Sequence, residues 1–223
     1  MSCVVSHPVT SSDRPRPSRA LALAGVVAPI LFAVVVTLLT VVEYDFARES
    51  GWHPIRRTGA GWPSLLALGE LGWLLGATLA CCGLLGLAFA AGLYRGMNGS
   101  WWSTIAALAL AVLAAAVGLE AFTTDPPGST APATWHGEIH DAAYQLVVAS
   151  ALIAPLLVAL ALWEDSRWRG YGPYSLATAG VLLATLALQT VREYAQLVEY
   201  VFFATLLVWL ELLALRLLRL SRG

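Results

Sequence analysis

Charge is scarce in this chain. Only 12% of its 223 residues are charged, and none is a lysine, so all 13 basic groups are arginines set against 14 acids. A soluble domain of this size carries about a quarter charged residues, and a nucleic-acid-binding one adds a basic block; the sequence has neither. Cysteine is scarce too, with Cys3 in a polar N-terminal tail and Cys81 and Cys82 adjacent inside an apolar run. Adjacent cysteines rarely bridge each other, and thiols in a bilayer act as small apolar fillers, which argues against a disulfide framework or a cysteine metal site. Also lacking are a phosphate-cradling glycine loop, paired intramembrane histidines for haem, and an aspartate-rich element for diphosphate and Mg²⁺. What fills the chain instead is apolar: 58% of its residues are hydrophobic and the mean hydropathy is +0.71.

These residues fall in runs long enough to cross a bilayer, which needs about 20 of them. The runs are Ala20–Val42, Leu71–Tyr94, Gly96–Leu119, Ala142–Trp163, Tyr171–Val191 and roughly Tyr194–Leu215. The first is longer than the apolar core of a signal peptide, about 7 to 15 residues, and reads as a retained helix. The last contains Glu199 and Glu211, about 18 Å apart along a helix, each near one end. The expected fold is therefore all-α, an integral membrane bundle of six transmembrane helices. Residues 1–19 are expected to form a disordered cytoplasmic tail and residues 20–220 a single six-helix domain. Nine of the 13 arginines lie on the side of the termini; Arg48, Arg56, Arg57 and Arg192 lie on the other. That bias predicts a multi-pass protein of the cell membrane with both termini cytoplasmic. Trp101, Trp102, Trp163, Trp168 and Tyr171 would mark the inner interface, and Trp52, Trp62 and Trp135 the outer one. No internal repeat supports an inverted-repeat transporter. The expected partners are the lipid bilayer and a hydrophobic small-molecule substrate, with no nucleic acid; nothing indicates an oligomeric state.

The acids divide the opposite way from the arginines. Most of them, with His53, His136 and His140, fall on the outer side, several at helix ends, as with Glu43, Glu120 and Glu199. Glu43 closes the first run as Val-Val-Glu-Tyr-Asp, where desolvation favours the protonated carboxyl that a general acid needs. Glu199, beside Tyr200, Phe202 and Phe203, repeats the combination of a carboxyl with aromatic rings. Asp125 precedes Pro126, Pro127 and Gly128, a rigid turn as the third helix ends. His136 and His140 are four apart, and a helix starting near Thr134 would put both imidazoles on one face, although Gly137 counts against a firm helix there. The candidate catalytic residues are thus Glu43, Asp125, His136, His140 and Glu199. No cofactor is called for; Zn²⁺ at Asp125, His136 and His140, with an open water position, is the alternative. A third use of the same groups is to hydrogen-bond one another and cap the helix mouth. Trp73, Trp135 and Tyr200 are candidates to line a substrate site, with Arg192 pairing one of the acids there. Glu211 is expected to pair with Arg216.

The order of these elements resembles the DUF998 family of bacterial and archaeal membrane proteins. Gly-Val-Val-Ala-Pro-Ile-Leu-Phe (25–32) is similar to that family's opening, and Pro63 to Trp73 to its approach to the second helix. Phe122-Thr-Thr-Asp125-Pro resembles the signature Phe-Pro-x-Asp-Pro, with Thr123 in place of the first proline. Trp135-His-Gly-x-x-His140-Asp141 resembles the His-Gly-x-x-His element. Another departure is Tyr200 after Glu199, where family members often carry Arg. The resemblance covers about residues 20–220 and implies six transmembrane helices.

Three functional classes fit these residues. The first is a membrane-embedded enzyme acting on a lipid-like or isoprenoid substrate by acid–base chemistry, including protonation-initiated terpene-type cyclisation, in which aromatic rings stabilise a carbocation. The second is a metal-dependent lipid hydrolase. The third is a non-enzymatic lipid-binding or assembly protein whose polar cluster is structural.

Overall fold

The computed structural model describes residues 17–56, 61–191 and 193–222. Seven α-helices and no strand occur among the described residues. Six are long and apolar enough to cross a membrane: α1 (Arg19–Val42), α3 (Gly72–Gly96), α4 (Trp101–Leu119), α5 (Trp135–Leu162), α6 (Tyr171–Leu188) and α7 (Ala195–Leu220). The short α2 (Tyr44–Glu49) follows α1, and single 3₁₀ turns occupy Ser64–Leu68 and Ser166–Trp168. The all-α, six-span fold expected from the apolar runs is the one adopted. Its boundaries follow caps rather than hydropathy. Helix α4 begins at Trp101, not Gly96, because Gly99 turns the chain at φ +74° and the Ser100 hydroxyl caps the Ser103 N–H at 3.3 Å. Helix α5 begins at Trp135, well before the uncharged run, because Thr134 caps it.

Each span packs on the next: α3 on α4, α4 on α5, α5 on α6, α6 on α7, and α1 closes the ring between α7 and α3. Lipid tails give helices no hydrophobic reason to associate, so close contact between small residues must hold them. Gly83 meets Gly118 at the α3–α4 crossing, where a Cβ at Gly83 would lie 2.6 Å from Gly118 Cα and 3.0 Å from the Ala114 oxygen. At the α1 crossing, a Cβ at Gly25 would lie 2.6 Å from Phe89 Cγ and 2.9 Å from Ala214 Cβ. Large apolar side chains such as Val41, Leu84, Leu108 and Leu183 are exposed, as a wall bathed in lipid tails permits.

The two ends of the ring are closed differently. At one end Trp168 is fully buried and its indole N–H donates to the Gly96 carbonyl at 3.1 Å. Beside it, Arg216 donates to the Arg167 carbonyl at 3.0 Å, and Arg167 pairs with Asp165 at 2.7 Å. Trp168 is therefore a packing residue rather than an interfacial anchor, and so is Trp52, which is 3% exposed. The expected Glu211–Arg216 pair does not form: the guanidinium is used on Arg167, and Glu211 Oε2 is buried with no hydrogen-bond partner. Positions five apart on a helix do not face each other. At the opposite end the Ser64–Leu68 turn dips into the bundle, burying Leu65 and Leu66.

Replacing Gly83 by Leu should cost about 1–3 kcal/mol through overpacking and lower the thermal midpoint in detergent. Gly180→Ala, where the added methyl meets open space, should leave the midpoint unchanged or raise it. Equal midpoints for the two variants would contradict the close α3–α4 crossing.

Candidate functional site

Helix α4 stops at Leu119, and its last carbonyls are met by the N–H groups of Glu120, Ala121 and Phe122 as the chain turns away. His140 serves the carbonyls just beyond the helix. Its buried ring places Nδ1 2.8 Å from the Phe122 oxygen and 3.2 Å from the Glu120 oxygen. Carbonyls only accept, so Nδ1 carries the hydrogen. Nε2 then faces Ser64 Oγ at 2.9 Å and Glu120 Oε2 at 3.1 Å. Three stretches of chain meet here: the end of α4, the first turns of α5 and the 3₁₀ turn at Ser64. Burial, reinforced by the nearby Asp141 carboxylate, pushes the Glu120 carboxyl up to about 8. A carboxyl held protonated carries no charge, which is how an ionisable group is tolerated in apolar surroundings. Glu120 Oε1 is buried and has no hydrogen-bond partner.

A second network fixes the loop before α5. Asp125 accepts the Thr134 hydroxyl hydrogen at 2.7 Å on Oδ1 and the Thr134 N–H at 2.9 Å on Oδ2. The same hydroxyl oxygen accepts from the Gly137 N–H at 3.1 Å as the N-cap of α5. His136 Nδ1 lies 2.9 Å from the Thr123 carbonyl and 2.9 Å from Thr134 Oγ1, so it donates. Gly137 is what lets the carboxylate approach: a Cβ there would sit 2.6 Å from Asp125 Cγ. The glycine that counted against a helix is required by the loop that starts it. The Thr134 hydroxyl, with the Thr134 N–H behind it, holds the Asp125 carboxyl below its ordinary range.

Inside the ring lies a cleft of about 140 Å³ lined by residues from all six spans. Its walls are apolar, with Phe32, Phe89, Phe202 and Phe203 among them, and follow α7 from Glu199 to Leu210, about 16 Å of helix. Its polar residues, Ser64, Glu120, Tyr144, Gln189 and Glu199, sit mainly toward one end. The volume is close to that of the roughly 150 Å³ engineered cavity that accepts benzene, room for a slim stretch of hydrocarbon.

The sequence candidates separate into groups. His140 and Glu199 reach the cleft region: Glu199 is buried and accepts from Gln196 Nε2 at 3.1 Å. Glu43 does not line the cleft; its Oε1 accepts the Leu71 N–H at 2.6 Å, capping the start of α3 where the helix dipole favours an anion. Asp125 and His136 hold the α5 entrance. Asp125 grips Thr134 while His136 and His140 face different backbone carbonyls, so the three candidate zinc ligands are engaged in separate contacts. Among the described residues no three His, Cys, Asp or Glu side chains gather as a metal-binding group. Trp73 is 70% exposed and Trp135 66% exposed, and neither lines the cleft. Trp135 stacks edge-on against Phe122 with centroids 5.6 Å apart. Tyr200 packs edge-on to Trp62 at 4.8 Å. Arg192 lies outside the described residues. Two residues were missed as candidates. Ser64 carries no local signal, but Glu120 closes an apolar run just as Glu43 does.

Thr134→Ala should remove about 1 kcal/mol of N-cap stabilisation and change the acid limb of stability. Asp125 has its carboxyl lowered in the fold, so its stabilisation is present above the ordinary value of 3.8 and is lost as pH falls through the lower folded value. Thermal unfolding from neutral into the acid range should show a weaker pH dependence in the variant. Parallel curves would contradict the network.

No curated protein and no solved structure matches the chain. A family model does, over residues 26–216, which includes the Asp125 loop, the His136 and His140 element and Glu120. The chain belongs to the DUF998 family, described as a protein of unknown function.

Proposed function

We propose that this protein is a membrane-embedded enzyme acting on a lipid-like or isoprenoid molecule by acid–base chemistry. The observation that carries the reading is the Glu120–His140 pair on the wall of an apolar cleft, with one Glu120 oxygen unpartnered. The substrate's hydrocarbon would lie along α7, its reacting atom at Oε1. A proton taken there would push the Oε2 proton onto His140 Nε2; to protonate a substrate, the carboxyl would instead carry its one proton on Oε1, give it up and be left as the carboxylate. Phe202 and Phe203 could then face a developing positive charge, as protonation-initiated cyclisation needs. Glu120 is the acid in place of Glu43, which caps α3. The arginines at the other end of the ring, Arg95, Arg167, Arg169 and Arg216, support an arrangement in the cell membrane with both termini cytoplasmic. Outside labelling of Ser129→Cys but not Ser166→Cys checks that orientation.

Glu120→Gln keeps the shape of the carboxyl and removes its transferable proton. Mass spectrometry of lipid and isoprenoid extracts should show product falling by about 10²-fold or more, with a folded protein and an extract matching a deletion strain. Turnover should also fall as pH rises past about 8, where Glu120 loses its proton. An extract identical to that of the unmodified protein would leave the pair with the structural role of holding the end of α4.

A further inference from the structure

The character of the cleft's polar groups narrows the molecule that fits, given the reading of the cleft as a substrate site. The polar groups lining it among the described residues are two carboxyls, Glu120 and Glu199, with Ser64, Gln189 and Tyr144, and no arginine is among them. The Asp141 carboxylate raises the negative field at Glu120 further. A phosphate or carboxylate head would enter a desolvated region near the Asp141 carboxylate, with no cation among the described lining residues to offset the cost. Glu120 Oε1 presents the opposite need: it is a buried acceptor, on a side chain nine-tenths buried, that no donor among the described residues reaches. A buried acceptor left without a partner is costly, and a donor brought by a ligand removes that cost. The walls behind it are hydrocarbon for about three turns of α7. We infer that the cleft takes a single-chain lipid alcohol, a hydroxyl head on an unphosphorylated tail, whose O–H donates to Glu120 Oε1 while the chain lies along α7.

The hydroxyl could head a prenyl or a straight acyl-derived chain; both have the chemistry the site recognises. The test uses the full chain in lipid nanodiscs, with bound tritiated farnesol displaced by farnesol, hexadecanol, farnesyl monophosphate or hexadecyl phosphate. The two alcohols should compete at least about tenfold better than the corresponding phosphates, since a hydrogen bond to a charged or charge-sharing group is worth a factor of this size. The better competitor of the two alcohols identifies the tail. Glu120→Gln, which adds an amide donor and removes the acid, should shrink the preference for alcohols over phosphates. Leu206→Trp and Val147→Phe, each replacing a lining residue, should abolish displaceable binding in whichever variant retains the folded elution profile. Phosphates that compete as well as the alcohols would overturn the head-group inference while leaving the cleft as a binding site. Farnesol that is not displaceable, with the same background in the cleft-filling variants, would overturn the substrate-site reading itself.

Discussion

A helix that ends beside hydrocarbon leaves carbonyl groups that water cannot reach, and the fold must find donors for them. At the end of α4 the N–H groups of Glu120, Ala121 and Phe122 answer the helix's own carbonyls, and His140 answers those of the turn that follows by giving its Nδ1 hydrogen to the Phe122 and Glu120 carbonyls. The rest of the site follows from that commitment. With Nδ1 occupied, Nε2 is turned toward Ser64 and Glu120, and a carboxyl that would otherwise be an isolated burden gains a hydrogen-bonding partner. Helix α5 has to start early enough to carry His140 into place, which explains the Thr134 cap and the Asp125 clasp that secures it.

The ring of spans gives this polar corner its setting. Small residues at Gly83, Gly118 and Gly25 draw the helices together, yet the ring stays open enough at its centre to leave a narrow apolar cleft. Its other end is sealed by Trp168 and Arg216. Polar chemistry and arginine-rich closure therefore sit at opposite ends of the same bundle, and the acids gathered away from that closure become available to build a site there.

Much of this is legible from the residues, but unevenly. Six spans are visible because a bilayer imposes a length on apolar runs, and the cap at Thr134 moves only where α5 starts. The four-residue spacing of His136 and His140 correctly places both on α5, yet spacing cannot say what each ring touches, and they serve different networks. Glu120 and Ser64 are hard to find for the same reason: they meet His140 across 20 and 76 residues of chain, and no local pattern encodes that closure. Trp73 and Trp135 illustrate the reverse error. An aromatic near a helix end reads equally well as a pocket wall or as a lipid-facing ring, and here both are exposed.

The site depends most on a proton held at Glu120. Infrared spectroscopy of the protein in lipid bilayers at neutral pH tests this directly through the carbonyl stretch of a protonated carboxylic acid. The expected difference spectrum between the unmodified protein and Glu120→Gln contains one such band, shifted in heavy water and fading as pH rises past about 8. A difference spectrum without a protonated-acid band at neutral pH would show Glu120 to be ionised there and would contradict the account.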